Sequence, residues 1–105
     1  MSVGMSRAED VGDEKKVKKK KNKQQLVRER ELEEIRQVIS TAFGRRFLWR
    51  ILIKCGMFQT LSGYTELSMA IKSGKRDMGL WLVNEINEAD KNGYIKLIQE
   101  DLKDA

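Results

Sequence analysis

Seven lysines lie within nine residues near the N-terminus of this 105-residue chain, and they are its clearest candidates for binding chemistry. Two interpretations of the run stay open. Lysine ammonium groups contact phosphates without reading base sequence, so the run predicts salt-sensitive binding to nucleic acid or to an acidic partner. A solubilising tail has the same composition, and the run lacks the interleaved aromatic residues that stack on bases. The lysines are Lys15, Lys16, Lys18, Lys19, Lys20, Lys21 and Lys23.

A second basic region occupies the middle of the chain. Residues 44–76 carry seven basic side chains and one acidic side chain, whereas residues 77–105 carry three basic and seven acidic ones. Arg45, Arg46 and Arg76 are therefore candidate contacts to nucleic acid or to an acidic partner. The same pattern also arises when the basic and acidic parts neutralise each other within one domain, and we favour this second interpretation because surface pairs need no partner.

The two tryptophans are candidates for an interface or for the core. Trp81 falls on a predicted buried stripe of its helix, so we assign it to the core. Trp49 lies beside the stripe of its own helix and next to arginines. Tryptophan and arginine are enriched at binding hot spots. The sequence therefore predicts a protein interface at Trp49 and Arg50.

The sequence is poor in catalytic and metal-binding groups. It contains no histidine and only one cysteine, Cys55, which excludes the common zinc sites and histidine-activated nucleophiles. It also lacks a phosphate-binding glycine loop. The neighbouring carboxylates Glu33 and Glu34, and Glu85 and Glu88, are typical of solvated helix faces. We expect Cys55 to be a small core residue. The sequence thus predicts a protein that is not an enzyme and that needs no cofactor or metal.

The candidate binding residues lie in two parts of the chain with different composition. Residues 1–23 have a net charge of +4 and few apolar residues, which predicts a disordered basic tail, with a helix starting late in it as an option. Residues 24–105 have a net charge of +1 and apolar residues spaced by three and four, and the chain contains no proline. They predict a single all-α domain, a small bundle of about four helices.

Local signals place the helix boundaries. Ser40 and Thr41 predict a break and a helix start, Gly56 a helix end, and Thr65 a further start. Asn92 and Gly93 predict the last break. Residues 57–63 form a predicted loop with apolar anchors at Met57, Phe58 and Leu61. Each of the four predicted helices has one stripe of residues that we expect to be buried. The stripe of the first helix is Leu26, Leu32, Ile35, Val38, Ile39 and Ala42, and that of the second is Phe47, Leu48, Ile51, Leu52 and Cys55. The stripe of the third helix is Leu67, Ile71, Gly74, Met78, Trp81, Leu82 and Ile86, and that of the last is Ile95, Ile98 and Leu102.

Composition also bears on compartment and assembly. No apolar run approaches the roughly 20 residues that cross a membrane, and the N-terminus has no apolar signal-peptide core before its lysines. The single cysteine fits a reducing compartment. We expect a soluble protein without membrane insertion. A folded part of this size is marginally stable alone, so a partner or a homo-oligomer is expected to help.

Two segments together resemble a family of small proteins of tailed bacteriophages, named after a member in a short-tailed Bordetella phage. The first is residues 44–52, GRRFLWRIL, which continues to Cys55-Gly56-Met57-Phe58; the second is residues 74–82, GKRDMGLWL, followed by Glu85-Ile86. The similarity covers roughly residues 35–100 and leaves out the lysine run. The family tends to place a proline and an acidic residue after the capping Ser/Thr, where this chain has Ala42 and Phe43.

The resemblance implies a phage protein with no known catalytic activity, and it carries over no functional residues. Close packing of helices at Gly44 and Gly74, near the arginines, is our expectation from the residues. Our first hypothesis is a structural or accessory protein that binds other phage structural proteins in the virion or in the host cytoplasm during assembly. The alternative is a non-specific DNA-binding accessory protein that uses the lysine run and the arginines.

Overall fold

The computed structural model describes residues 3–60 and 65–104, and within these ranges the chain forms four helices and no strand. The helices are α1 (Val3–Ile39), α2 (Ala42–Lys54), α3 (Glu66–Ala89) and α4 (Gly93–Lys103). The predicted all-α class and the predicted number of helices are confirmed. Of the apolar anchors proposed for the loop after α2, Leu61 lies outside the described residues.

The predicted helix boundaries are confirmed at the breaks that the sequence marks. Helix α2 starts after Thr41, whose side chain accepts a hydrogen bond from the Gly44 amide, and α3 starts after Thr65, which caps the Ser68 amide in the same way. Gly56 follows the end of α2 with a φ of 69°, a left-handed conformation that favours glycine. Short polar caps and one glycine therefore set the lengths of the central helices.

Helix α1 extends further towards the N-terminus than the predicted start at Gln24. The lysine run lies on α1, and residues 15–39 contain neither glycine nor proline. Lysine has high helix propensity, so the run can be helical although it buries nothing. All seven lysine side chains are exposed. The described part of the predicted tail is thus a charged helix segment.

The chain divides into two compact units, Met1–Glu31 and Leu32–Ala105. In the first unit, the described side chains from residue 14 onward are exposed except for Arg28, which is half-buried and pairs with Glu31 one turn later. The second unit contains the end of α1 and helices α2, α3 and α4. Its core consists of Ile39, Leu48, Leu52, Ile86 and Leu97.

Several predicted stripe residues are not buried, and the error is largest on α3. Leu67, Ile71, Met78 and Trp81 are 54–73% exposed, so the assignment of Trp81 to the core was wrong. The buried residues of α3 are Gly79, Ile86 and Ala89, on a neighbouring face of the helix. On α4 the prediction was wrong in the same way, because Leu97 is fully buried while Ile95 and Leu102 are exposed. Phe47 on α2 is exposed as well.

The glycines show where helices approach closely. A Cβ on Gly44 would lie 1.9 Å from the Val38 carbonyl oxygen, and one on Gly79 would lie 2.5 Å from the Met57 sulfur. The predicted close packing at Gly44 is confirmed. At Gly74 it was wrong for the described residues, none of which lies within 4 Å of where a Cβ there would be. No helix in the described part of the chain is long and apolar enough to cross a membrane.

Candidate interaction surface

Helix α2 carries four of the predicted site residues, Arg45, Arg46, Trp49 and Arg50, and its first turn is fixed by local contacts. The Thr41 hydroxyl accepts the Gly44 amide at 3.1 Å and lies 3.3 Å from the Val38 carbonyl oxygen, to which it donates. Gly44 is buried against that carbonyl. The α1–α2 corner therefore leaves no room for a side chain at residue 44, and the direction of α2 is set by its first turn.

Arg45 fastens α2 to two other helices. Its Nε and Nη2 atoms donate to Glu100 Oε1 at 3.0 and 2.7 Å, and its Nη1 atom donates to the Ile39 carbonyl oxygen at 2.7 Å. The guanidinium thus joins the end of α1, the start of α2 and the middle of α4. With these bonds made inside the domain, a structural role accounts for Arg45, in agreement with the internal neutralisation that the sequence favoured.

Glu100 is the buried member of this pair. Only 6% of the residue is exposed, and it lies on the same face of α4 as the fully buried Leu97. The hydrogen bond from Arg45 lowers the pKa of the Glu100 carboxyl, while burial acts in the opposite direction. The carboxylate is therefore held charged within the domain because a guanidinium solvates it.

The opposite side of α2 presents two phenylalanines and two arginines to solvent. Phe43 is 71% exposed and Phe47 is 53% exposed, and Arg46 and Arg50 are exposed beside them. The Arg50 guanidinium carbon lies 5.6 Å from the centre of the Phe47 ring, within the range of a cation–π contact. Spacings of three and four place all four side chains on one face of the helix. We refer to these four residues as the α2 outer face.

An open cleft adjoins the α2 outer face. It has a volume of about 460 Å³ and is lined by Phe43, Arg46, Trp49, Arg50, Asp101 and Asp104. The arginines come from α2, Asp101 comes from the last turn of α4, and Asp104 directly follows that helix. The cleft thus combines aromatic surface with charges of both signs. Such a lining matches a mixed polar and apolar surface better than a uniformly anionic one.

Trp49 forms the inner edge of the cleft. It is half-buried and packs against the core, with ring centres 5.5 Å from Phe58 and 6.4 Å from Tyr94. The predicted interface residue therefore touches both the cleft and the core. Its neighbour Arg50 lies on the exposed side of the same wall.

The other predicted contact residues lie elsewhere. Arg76 is half-buried on α3 and does not line the cleft, so the structure does not place it in one patch with Arg46. The lysine run lies in the first unit, on α1. The predicted contacts are therefore distributed over three helices.

Sequence reasoning missed three residues of this site. Glu100 was not singled out, although its spacing of three from Leu97 puts a carboxylate on a helix face that turns out to be buried. Phe47 was assigned to the core, and Phe43 was not assigned to any stripe. The signal that could have found Phe43 was its spacing of three, four and seven from Arg46, Phe47 and Arg50, which places it on the same face of α2.

Among the described residues, no group of three or more acidic or cysteine side chains is arranged to hold a metal ion. The fold and surface define a small all-α protein with an exposed, partly aromatic face on α2. The family of Bbp19-like phage proteins matches residues 35–99, which is more than half of the chain and includes all of α2 and α3. The chain belongs to this family and is a phage-associated protein. Comparisons with curated proteins and with solved structures give no match.

Proposed function

We propose that this protein is a non-catalytic structural or accessory component that binds other phage proteins, in the virion or during its assembly, through the α2 outer face. The exposure of Phe43 and Phe47 beside two arginines is the observation that carries the proposal. An exposed cluster of large apolar side chains is a liability in a protein that works alone. Aromatic residues and arginine are also enriched at protein interfaces.

The core does not need these phenylalanines. Helix α2 contributes Leu48 and Leu52 to the core, and the two leucines lie on the side of the helix away from Phe43 and Phe47. Replacing either phenylalanine with a polar residue would therefore leave the core contacts in place. The apolar character of the α2 outer face is available for a partner.

Contacts within the domain also hold the α2 outer face in position. The Thr41 cap and Gly44 fix the start of α2, and the Arg45–Glu100 pair fastens it to α4. A preformed surface loses little conformational entropy on binding, which favours affinity for a given contact area. Asp101 and Asp104 on the far wall of the cleft would repel phosphates, so this surface suits a protein partner rather than DNA.

Mass spectrometry of nuclease-treated particles from the source phage tests the proposal. Mature virions and purified assembly intermediates should be compared, because a structural protein stays in the virion and an assembly protein leaves it. We expect a reproducible copy number in at least one of the two. Absence from both, with abundant free protein in infected cells, would contradict the proposal.

The alternative function is sequence-independent DNA binding by the lysine run. The exposure of all seven lysines on α1 supports it, because each ammonium group is free of burial and can approach a phosphate. In this alternative the arginine contribution is smaller than the sequence suggested, since Arg45 donates to Glu100 and Ile39. The two functions are compatible, because the lysine run and the α2 outer face are in different units of the chain.

A further inference from the structure

Helix α3 carries a second apolar surface that the domain does not use. Leu67, Ile71, Met78 and Trp81 are 73%, 54%, 59% and 55% exposed, and Gly74 is exposed between them. The spacings of four, three, four and three keep these five residues on one side of the helix. We refer to them as the α3 stripe. The next position at this spacing is Glu85, so the apolar surface ends after Trp81.

Gly74 marks the centre of the α3 stripe. A glycine inside a helix costs up to about 1 kcal/mol relative to alanine, and a Cβ at Gly74 would meet none of the described residues within 4 Å. The described part of the chain therefore gives no packing reason for glycine here. A second helix crossing at this point would give one, because the missing side chain lets two backbones approach closely.

The α3 stripe is nearly symmetric about Gly74. Leu67 and Trp81 are each seven residues away, and Ile71 and Met78 are three and four residues away. A two-fold axis at Gly74 would place Leu67 of one copy beside Trp81 of the other, and Ile71 beside Met78. Such a self-complementary patch is what an isologous dimer requires.

Burial along α3 selects the antiparallel orientation. None of residues 66–78 is buried, whereas Gly79, Ile86 and Ala89 in the second half of the helix pack into the domain. In an antiparallel pair, the uncovered first half of each helix lies along the anchored second half of the other. In a parallel pair, the uncovered first halves of the two helices would pack only against each other. The two helix dipoles would also point in the same direction, which is unfavourable.

From these observations we infer that the protein forms an antiparallel homodimer through the α3 stripe, with the two helices crossing at Gly74. The stripe is about 21 Å long at 1.5 Å per residue. Four side chains and the Gly74 backbone from each copy would bury on the order of 1,000 Å² in total, at the lower limit for a specific interface. An interface of this size is typical of a weak, transient complex. The dimer uses a different helix from the α2 outer face and does not depend on the proposed function.

Sedimentation velocity of the full chain between about 1 µM and about 1 mM tests the dimer. The wild type should shift from monomer to dimer over this range. Met78→Glu and, as a second variant, Ile71→Glu should stay monomeric, because each places a charge within the stripe. Leu80→Glu is the matched control, since Leu80 is 45% exposed on another side of α3, and it should dimerise like the wild type. Circular dichroism verifies that each variant is folded.

Crosslinking with a bismaleimide tests the orientation, in a Cys55→Ser background. The double variant Leu67→Cys/Trp81→Cys should give a covalent dimer, and either single variant should give little. A wild type that stays monomeric throughout the range, a Met78→Glu variant that dimerises normally, or a Leu80→Glu variant that loses the dimer would overturn the inference. Efficient crosslinking of Leu67→Cys alone would overturn the antiparallel arrangement.

Discussion

The side chains of Arg45 and Glu100 are 55 residues apart in sequence and meet at 2.7 Å between α2 and α4. Arg45 lies on the other side of α2 from the α2 outer face, since it is two residues from both Phe43 and Phe47, and residues two apart on a helix point in nearly opposite directions. The same contact therefore stabilises the domain and sets the orientation of the surface that we assign to partner binding.

Arg45→Ala should lower the melting temperature clearly more than Arg46→Ala does. Loss of Arg45 leaves a carboxylate buried without its counter-charge and removes the donor to the Ile39 carbonyl. Arg46 is exposed, and changes at such positions usually alter the free energy of unfolding by about 0.5 kcal/mol or less. Thermal unfolding followed by circular dichroism measures both variants. Equal melting temperatures would show that the pair is not structural.

Stability should fall in acid, partly because of Glu100. The folded-state pKa of Glu100 is lowered from its ordinary value of 4.5, and that of Asp90 is lowered from 3.8 by its hydrogen bonds from Lys96 and the Asn92 amide. A carboxyl whose pKa is lowered by folding contributes its full stabilisation at pH values above its ordinary pKa. That contribution is lost as the pH falls through the pKa of the folded state. Urea unfolding should therefore show a decline in stability below about pH 4.5.

Glu100→Gln is the variant that isolates this effect. It should be less stable than the wild type at pH 7 and should show a smaller decline in stability between neutral and acidic pH. Asp90→Asn should act in the same direction, because both folded-state pKa values are lowered. Identical pH profiles for the wild type and Glu100→Gln would contradict the assigned role of the carboxylate.

Two glycine substitutions should have opposite effects on the free energy of unfolding. Gly44→Ala should destabilise the chain by about 1–3 kcal/mol, because the new Cβ would overlap the Val38 carbonyl oxygen. Gly74→Ala should stabilise it by up to about 1 kcal/mol, since the methyl group enters open space and alanine favours the helix. Both are measured by urea unfolding at a concentration where the wild type is monomeric. A destabilising Gly74→Ala would contradict the open environment of that residue.

The sequence predicted the helix boundaries well and the helix faces poorly. Caps at Thr41 and Thr65 and the left-handed Gly56 are local features, so they can be read from a few neighbouring residues. The buried face of α3 depends on which of two apolar sides meets α4, and the spacing of Met78 and Trp81 is as regular as that of Leu82 and Ile86. Only tertiary packing separates these alternatives.

The candidate site was predicted in part for the same reason. Arg46, Trp49 and Arg50 were singled out and do line one cleft, because residues three and four apart on one helix are neighbours. The roles of Arg45 and Glu100 depend on a contact between α2 and α4, which no local pattern encodes. Phe43 and Phe47 became candidates only when their exposure was known.

The lysine run should bind DNA in a salt-dependent manner if it contacts phosphates. Changing Lys18, Lys19, Lys20 and Lys21 to glutamine should weaken binding to a random-sequence duplex, and the slope of log K against log salt should fall by about 0.9 per lost contact. Lys91→Gln/Lys103→Gln is the control, because both lysines are exposed outside the run. No binding by the wild type at low salt would exclude the DNA-binding alternative.

The central claim, that the α2 outer face binds phage proteins, is tested most directly by affinity capture from phage-infected cells. Tagged wild type should be compared with Phe43→Ser/Phe47→Ser and with the control Leu80→Ser/Ile95→Ser, whose side chains are 45% and 51% exposed on α3 and α4. We predict that the wild type and the control retain the same phage structural proteins and that the phenylalanine variant, still folded, loses them. Retention of those proteins by the phenylalanine variant, or capture of none by the wild type, would contradict the account.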